Sequence, residues 1–345
     1  MRILFLAPTY LGLYKPIYNE MKTNGNDVFY LEDKLLPYDN FGKEHKPLYS
    51  KIIYRLKFMK GADFYYEKYW QILFKEKKML NNIFDILFVI NGTSFHPVLI
   101  DNLKKQNPTL KTSLYIWDTC KYYDFARNIP FFDNVFSFDR EDAKLYGLKY
   151  LPIYCPYFKY NPDNTNYYDA FCIGAYHDGR FDILKSIASQ LDSLGLTYLF
   201  KVVLFRQEPS WKFKIKKLFH IISQDDIKQY EFAIGMRSDE ILINESVPVR
   251  EYIKLLLQSQ VVIDTDRESQ TGLTPRLVWA IMAGKRVITT NAKLLDDPYC
   301  IGCDIIVIDR NKPVIRKEMF SYVKRTPSAK LRSLYLKEWV ENFIS

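Results

Sequence analysis

Short apolar runs alternate along this chain with longer stretches whose apolar positions recur at helical spacing. In the first half the runs are Ile3–Leu6, Val28–Leu31, Ile86–Ile90, Ser113–Ile116 and Asn134–Phe138. They read as buried strands. Lys15–Thr23, Pro97–Gln106 and Arg140–Tyr146 read as the helices between them. A second series begins at Asp169, with strands expected over Ala170–Gly174, Thr197–Phe205, Val261–Asp264, Val287–Thr290 and Ile305–Ile308. Its helices are expected over Arg180–Leu194, Trp211–Ile222, a segment opening at Ser246–Pro248, and Leu273–Met282. Lys317–Ser345 reads as mostly helical. Strands and helices in alternation predict an α/β protein built on parallel sheets.

The chain has 345 residues, 48% of them hydrophobic, enough for two domains with a core each. Pro152, Pro156 and Pro162, set among polar and aromatic residues, predict a linker. The expected division is 1–155 for a first domain, 156–168 for the linker, 169–316 for a second domain and 317–345 for a helical segment returning to the fold. No apolar run approaches the ~18–20 residues of a membrane span. Ile3–Leu13 is interrupted by Pro8 and fits a first strand better than a signal peptide, so a cytoplasmic chain is expected. Five cysteines, an odd number, argue against a disulfide framework. The four histidines show no metal-ligand spacing, and neither a metal nor a cofactor is expected.

The segment Ser269–Asn291 carries the clearest candidate chemistry. Gln270-Thr271-Gly272 is turn-forming, Leu273–Met282 is a packed helix, and Gly284 follows it as a stop. A small-residue loop feeding a helix N-terminus offers free backbone N–H groups and the positive end of the dipole, which together suit a diphosphate. Gln270, Thr271, Gly272, Thr274 and Arg276 are therefore the expected phosphate contacts, Arg276 adding a bidentate charge. Arg180 is a second candidate, on the loop beyond the strand that ends at Gly174. An Arg at a helix start is disfavoured by the dipole, which favours a ligand role there.

Four blocks extend this picture. They are Tyr115-Ile116-Trp117-Asp118; Phe136-Ser137-Phe138-Asp139 with Glu141-Asp142-Ala143; Tyr168–Gly174 with Arg180; and Gln270–Thr274 through Ile288-Thr289-Thr290-Asn291, continued by Ile305–Arg310. In these the chain resembles GT-B glycosyltransferases, and within them the CgeB-like group of capsule and lipopolysaccharide biosynthesis proteins. The resemblance implies two Rossmann-like domains facing a cleft, the second holding a nucleotide sugar. It also implies that helix dipoles and basic side chains, rather than a tightly bound metal, stabilise the leaving diphosphate. One departure stands out. The Glu that binds the nucleotide ribose in many such enzymes corresponds to Trp279, and the Glu-x7-Glu pair of the retaining members reads Thr271 and Trp279. This weakens a retaining assignment and leaves Glu268 or Asp266 as substitutes on the adjoining loop. Asp264-Thr265-Asp266 reads as a strand end leading into the phosphate loop, a metal there being the alternative.

For the catalytic base, Asp118 follows the strand Ser113–Trp117 and so lies at a strand carboxyl end, where a carboxylate accepts a proton. His96 lies on the comparable loop after Ile86–Ile90, with a helix cap as its structural alternative. Asp139 reads as a cap for the helix from Arg140.

The net charge is +9, and the stretch Lys43–Lys78 carries ten basic residues against four acidic ones, interleaved with aromatics. Lys51, Arg55, Lys57, Lys60 and Trp70 are expected to form an acceptor or membrane face, because such a stretch suits an anionic lipid surface. No nucleic-acid-binding motif accompanies it, so no nucleic-acid partner is expected. The expected function is a metal-independent, inverting transfer of a sugar from a UDP-, GDP-, TDP- or CMP-linked donor to a surface polysaccharide or lipid-linked glycan, at or near the inner face of the plasma membrane. The alternatives are a nucleotide-sugar epimerase of the same fold and a non-catalytic glycan-assembly protein.

Overall fold

The computed structural model describes residues 1–9, 12–33, 67, 70–71, 82–120, 124–156, 167–177, 179–204, 210–218, 227, 230–232, 235, 239–265, 271–321 and 329–345. They divide into two compact units, Met1–Ile153 with Tyr335–Ser345, and Tyr154–Leu334. Most of the expected linker, residues 157–166, lies outside the described residues.

The first unit is a six-stranded parallel sheet in the order β2-β1-β3-β4-β5-β6. Its strands are β1 (Arg2–Ala7), β2 (Asp27–Glu32), β3 (Ile86–Ile90), β4 (Lys111–Ile116), β5 (Asn134–Ser137) and β6 (Lys149–Tyr150). All of β3 and all but the first residue of β1 and β4 are buried, as parallel strands covered on both faces must be. Helices α1 (Tyr14–Thr23), α2 (Val98–Gln106) and α3 (Arg140–Tyr146) join them. Asp139 caps α3 through its carboxylate, which accepts from the N–H groups of Glu141 and Asp142. The C-terminal helix (Leu336–Ile344) also belongs to this unit. Phe343 stacks on Phe88 at 4.3 Å, Trp339 meets Tyr115 edge-on at 4.8 Å, and the Trp339 indole N–H donates to the Pro152 carbonyl.

The second unit is a separate six-stranded parallel sheet in the order β12-β11-β10-β7-β8-β9. Its strands are β7 (Tyr168–Ala175), β8 (Tyr198–Val203), β9 (Leu242–Ile243), β10 (Ser259–Asp264), β11 (Arg286–Thr289) and β12 (Ile305–Val307). Numbered within the unit this is the Rossmann order 3-2-1-4-5-6, which reverses between β7 and β10. The helices are α4 (Arg180–Ser193), α5 (Ser210–Leu218), α6 (Val249–Leu257) and α7 (Pro275–Met282). Every residue of α7 from Arg276 to Met282 is buried, and the turn after it closes at Gly284 with φ +67°. Only glycine adopts that conformation without a steric cost, which explains the stop. Among the described residues no helix is long and apolar enough to cross a membrane.

Candidate functional site

In open parallel sheets, ligands bind beyond the carboxyl ends of the strands at the point where strand order reverses. In the second unit that point lies between β7 and β10, and two arginines meet there. Arg180, at the start of α4, donates from Nε to Thr265 Oγ1 at 2.8 Å and from its two terminal nitrogens to the carbonyls of Ala175 and Thr265. Arg276, in the first turn of α7, donates from Nε and Nη2 to Asp264 Oδ1 at 3.0 and 2.7 Å, and also to the carbonyls of Ile173 and Thr265. Asp264 further accepts from the hydroxyls of Thr274 and Thr289. Thr274 is also the N-cap of α7, accepting from the Leu277 N–H. The helix therefore begins two residues later than the sequence predicts, because Pro275 takes the first helical position.

The pair is buried, Arg180 to 5% exposure and Arg276 to 6%. Arg276 has its carboxylate; the three oxygens bonded to Arg180 are all uncharged. Burial pushes the Arg180 guanidinium down to about 9, and the neighbouring Arg276 acts in the same direction. Burial lowers Arg276 as well, but Asp264 is among the groups that more than offset it. Among the described residues, two guanidiniums and one carboxylate leave an excess positive charge at the switch point. The Tyr252 hydroxyl adds an orphan: it is buried without a hydrogen-bond partner and feels both guanidinium groups.

Gly174 makes the arrangement sterically possible. A Cβ there would lie 2.5 Å from Arg180 Nη1 and 2.6 Å from Arg276 Nη1. Hydrogen bonds hold both guanidinium ends, so they cannot swing aside cheaply. Gly174→Ala is expected to destabilise the second unit by about 1–3 kcal/mol, the usual range for overpacking. Thermal unfolding of the purified variant checks this; an unchanged melting temperature would show that the arginines have room to move.

Arg276, an expected phosphate contact, is engaged by the Asp264 carboxylate. Arg180, Gly174, Thr274 and Arg276 do converge on one strand-end surface, with Thr271 and Gly272 preceding the helix. Glu268, Gln270 and Asp266 lie outside the described residues. Trp279 offers no substitute for a ribose-binding Glu: it is buried, its indole N–H donating to the Tyr154 carbonyl at 3.0 Å and its ring against Tyr252.

In the first unit the candidate base lies beyond β4. Asp118 is exposed, and its Oδ2 accepts from the side-chain amide of Asn91 at 3.0 Å. Asn91 follows the neighbouring strand β3 and also accepts from the Trp117 N–H at 2.9 Å. It thereby bridges two strand ends from a left-handed backbone, φ +61°, which Asn tolerates better than most residues. Sequence reasoning passed over Asn91; the Asn-Gly pair after a buried strand was the available signal.

His96 has a different occupation. Its Nδ1 accepts from the Val98 N–H at 3.2 Å, at the start of α2. In the neutral ring the proton then sits on Nε2, making the other nitrogen a donor. The loop between Asn91 and His96 is clamped by Asp33, a second residue the sequence reading did not single out. Asp33 is buried beyond β2 and accepts from the Thr93 and Ser94 N–H groups and the Ser94 hydroxyl at 2.6–2.7 Å. Burial raises its pKa, and these hydrogen bonds oppose the rise.

Trp70 corrects another expectation. It is fully buried in the first unit's core and its indole N–H donates to the Ser94 carbonyl at 2.7 Å, so it presents nothing to an acceptor or a membrane. Lys51, Arg55, Lys57 and Lys60 lie outside the described residues.

No protein-family model matches the sequence, and no curated protein matches it. Solved structures do match in fold. An α,α-trehalose-phosphate synthase (UDP-forming) from Burkholderia vietnamiensis aligns over 100% of this chain and 99% of its own, with 12% identity and a TM-score of 0.55. Apo OtsA aligns over 100% and 98%, with 12% identity and a TM-score of 0.54. The corresponding UDP-forming synthase from Burkholderia xenovorans aligns over 99% and 98%, with 14% identity and a TM-score of 0.53. Identities this low speak to architecture and not to substrate. With its two parallel six-stranded sheets, the chain has the two-domain α/β fold of these GT-B glycosyltransferases.

Proposed function

We propose that the chain is a glycosyltransferase using a nucleotide-sugar donor. One observation carries this reading: the buried Arg180–Arg276 pair at the switch point of the second sheet, with a single carboxylate among the described residues for two guanidinium groups. A diphosphate supplies the missing negative charge. The N-terminus of α7 adds its dipole at the same strand ends. Such groups act most strongly as charge builds on the departing diphosphate, which is what catalysis of glycosyl transfer requires. The fold shared with UDP-forming synthases supports a nucleotide-sugar donor.

The finer reading is inverting transfer without a tightly bound metal. The acceptor hydroxyl gives its proton to Asp118 and attacks the anomeric carbon, and the nucleotide leaves with the bonding electrons. The CgeB-like assignment, a surface-polysaccharide or lipid-linked acceptor, and attachment of the basic stretch Lys43–Lys78 to the inner face of the plasma membrane rest on sequence alone.

Calorimetry with UDP, GDP, TDP and CMP tests the donor site. At least one is expected to bind, and Arg180→Gln is expected to weaken that binding roughly 10–100-fold, because a hydrogen bond to a charged group is typically worth ~1.5–3 kcal/mol. Failure of the wild type to bind any of the four would remove the arginine pair from donor recognition, and equal binding by Arg180→Gln would remove Arg180 from it.

A further inference from the structure

Helix α5 (Ser210–Leu218) carries an apolar stripe on its outer side. Trp211, Ile215 and Leu218 are 60%, 48% and 74% exposed. Their spacing of four and then three residues places them on one line along a helix. The helix is anchored through Phe213, which is buried and stacks on Tyr230 with ring centroids 3.6 Å apart. Phe213 lies on roughly the opposite side, about 200° around the helix from Trp211. The stripe is thus exposed on the side away from the Phe213 anchor. Helices that bury an apolar face in their own domain turn a polar face outward; α5 turns out one of its own apolar rows.

The charge on the helix identifies the occupant. Four of its nine residues are lysines, Lys212, Lys214, Lys216 and Lys217, and none is acidic. Lys214 is exposed beside the stripe. A hydrophobic protein partner alone would not call for four cations, and nucleic acid alone would not call for Ile and Leu. An anionic bilayer calls for both: apolar side chains enter the acyl boundary, the indole sits at the headgroup level, and lysines reach back to lipid phosphates. We infer that α5 is an interfacial helix that lays Trp211, Ile215 and Leu218 into an anionic membrane surface. This inference does not rest on the glycosyltransferase reading, nor on the Lys43–Lys78 stretch.

The location has a consequence. The chain enters α5 after leaving the carboxyl end of β8, the strand beside β7 in the second sheet. The carboxyl ends of β7 and β10, which Arg180 joins through Ala175 and Thr265, lie at that same edge of the unit. Docking through α5 would bring that edge toward the lipid headgroups, where a lipid-linked substrate resides.

The test uses the full chain and vesicles of phosphatidylcholine with and without phosphatidylglycerol. Sedimentation with the anionic vesicles at low salt is expected, and it should weaken as salt rises, since the attraction falls off within a Debye length. Trp211→Glu with Ile215→Glu is expected to weaken this binding roughly tenfold or more, by removing apolar burial and adding like charge. Brominated lipid should quench the tryptophan emission of the wild type and much less that of Trp211→Phe, because Trp70, Trp279 and Trp339 are buried and Trp117, partly exposed, belongs to the first unit rather than to α5. Changing Lys51, Arg55, Lys57 and Lys60 to Glu is the comparison. If those four changes abolish binding and the α5 pair does not, the inference fails. It fails equally if neutral vesicles bind as well as anionic ones. A dimer in sedimentation velocity that the α5 pair converts to monomer, without vesicle binding, would make the stripe a contact between copies of the chain.

Discussion

Asp118→Asn is expected to leave nucleotide affinity nearly intact and to slow glycosyl transfer roughly 10²–10⁴-fold, the usual contribution of a positioned general base. The substitution keeps the shape of the side chain and an oxygen for the Asn91 amide, so the bridge between the ends of β3 and β4 survives. What it removes is the carboxylate proposed to take the proton. His96→Ala is the control, and it should retain most of the transfer. With Nδ1 accepting from the Val98 N–H, the neutral imidazole carries its proton on Nε2, a donor where a base needs a lone pair. Its loss should appear instead as the modest stability change of one lost hydrogen bond at the start of α2, about 0.5–1.5 kcal/mol. Initial rates and nucleotide titrations on both variants distinguish the roles. Transfer abolished in His96→Ala and preserved in Asp118→Asn would exchange them.

Much of this was legible in local sequence, because a buried parallel strand needs a run of apolar residues and little else. Ile86–Ile90 and Arg140–Tyr146 emerge with the limits read from the sequence. The two-residue edge strands Lys149–Tyr150 and Leu242–Ile243 do not, since so short a segment has no periodicity to detect. Lys317–Ser345 reads as mostly helical, yet its described part holds two 3₁₀ segments and one α-helix.

The candidate site was legible as positions, not as partners. Strand-end loops are where chemistry is expected, and Gly174, Arg180, Thr274 and Asp118 follow from that rule. Which charge meets which is decided by tertiary packing. The Ile173 carbonyl that receives Arg276 is 103 residues away, and the Ser94 carbonyl that receives Trp70 is 24 residues away. A basic, aromatic-rich stretch does not disclose which of its rings turns inward. Asn91 escaped notice for a related reason: its left-handed backbone matters only once β3 and β4 lie side by side.

Arg276→Ala is the substitution for which sequence and structure give different answers. Read from the loop-helix pattern, it costs only a contact to the donor. In the structure it leaves Asp264, 2% exposed, as a buried carboxylate without its cation. Removing one partner of such a pair typically costs 3–5 kcal/mol. For a unit of this size that corresponds to a fall in melting temperature of roughly 6–20 °C. The hydroxyls of Thr274 and Thr289 still reach Asp264, but neither brings charge. Arg180 stays nearby with its own bonds to Thr265 and Ala175, so compensation requires it to abandon them. Replacing both members, Arg276→Met with Asp264→Leu, should cost less than the two single changes added together, since no unpaired charge remains. Thermal and denaturant unfolding of the three variants measures this directly. A stable, well-folded Arg276→Ala protein that has lost only nucleotide affinity would return Arg276 to the donor and leave Arg180 as the residue that holds the strand ends together.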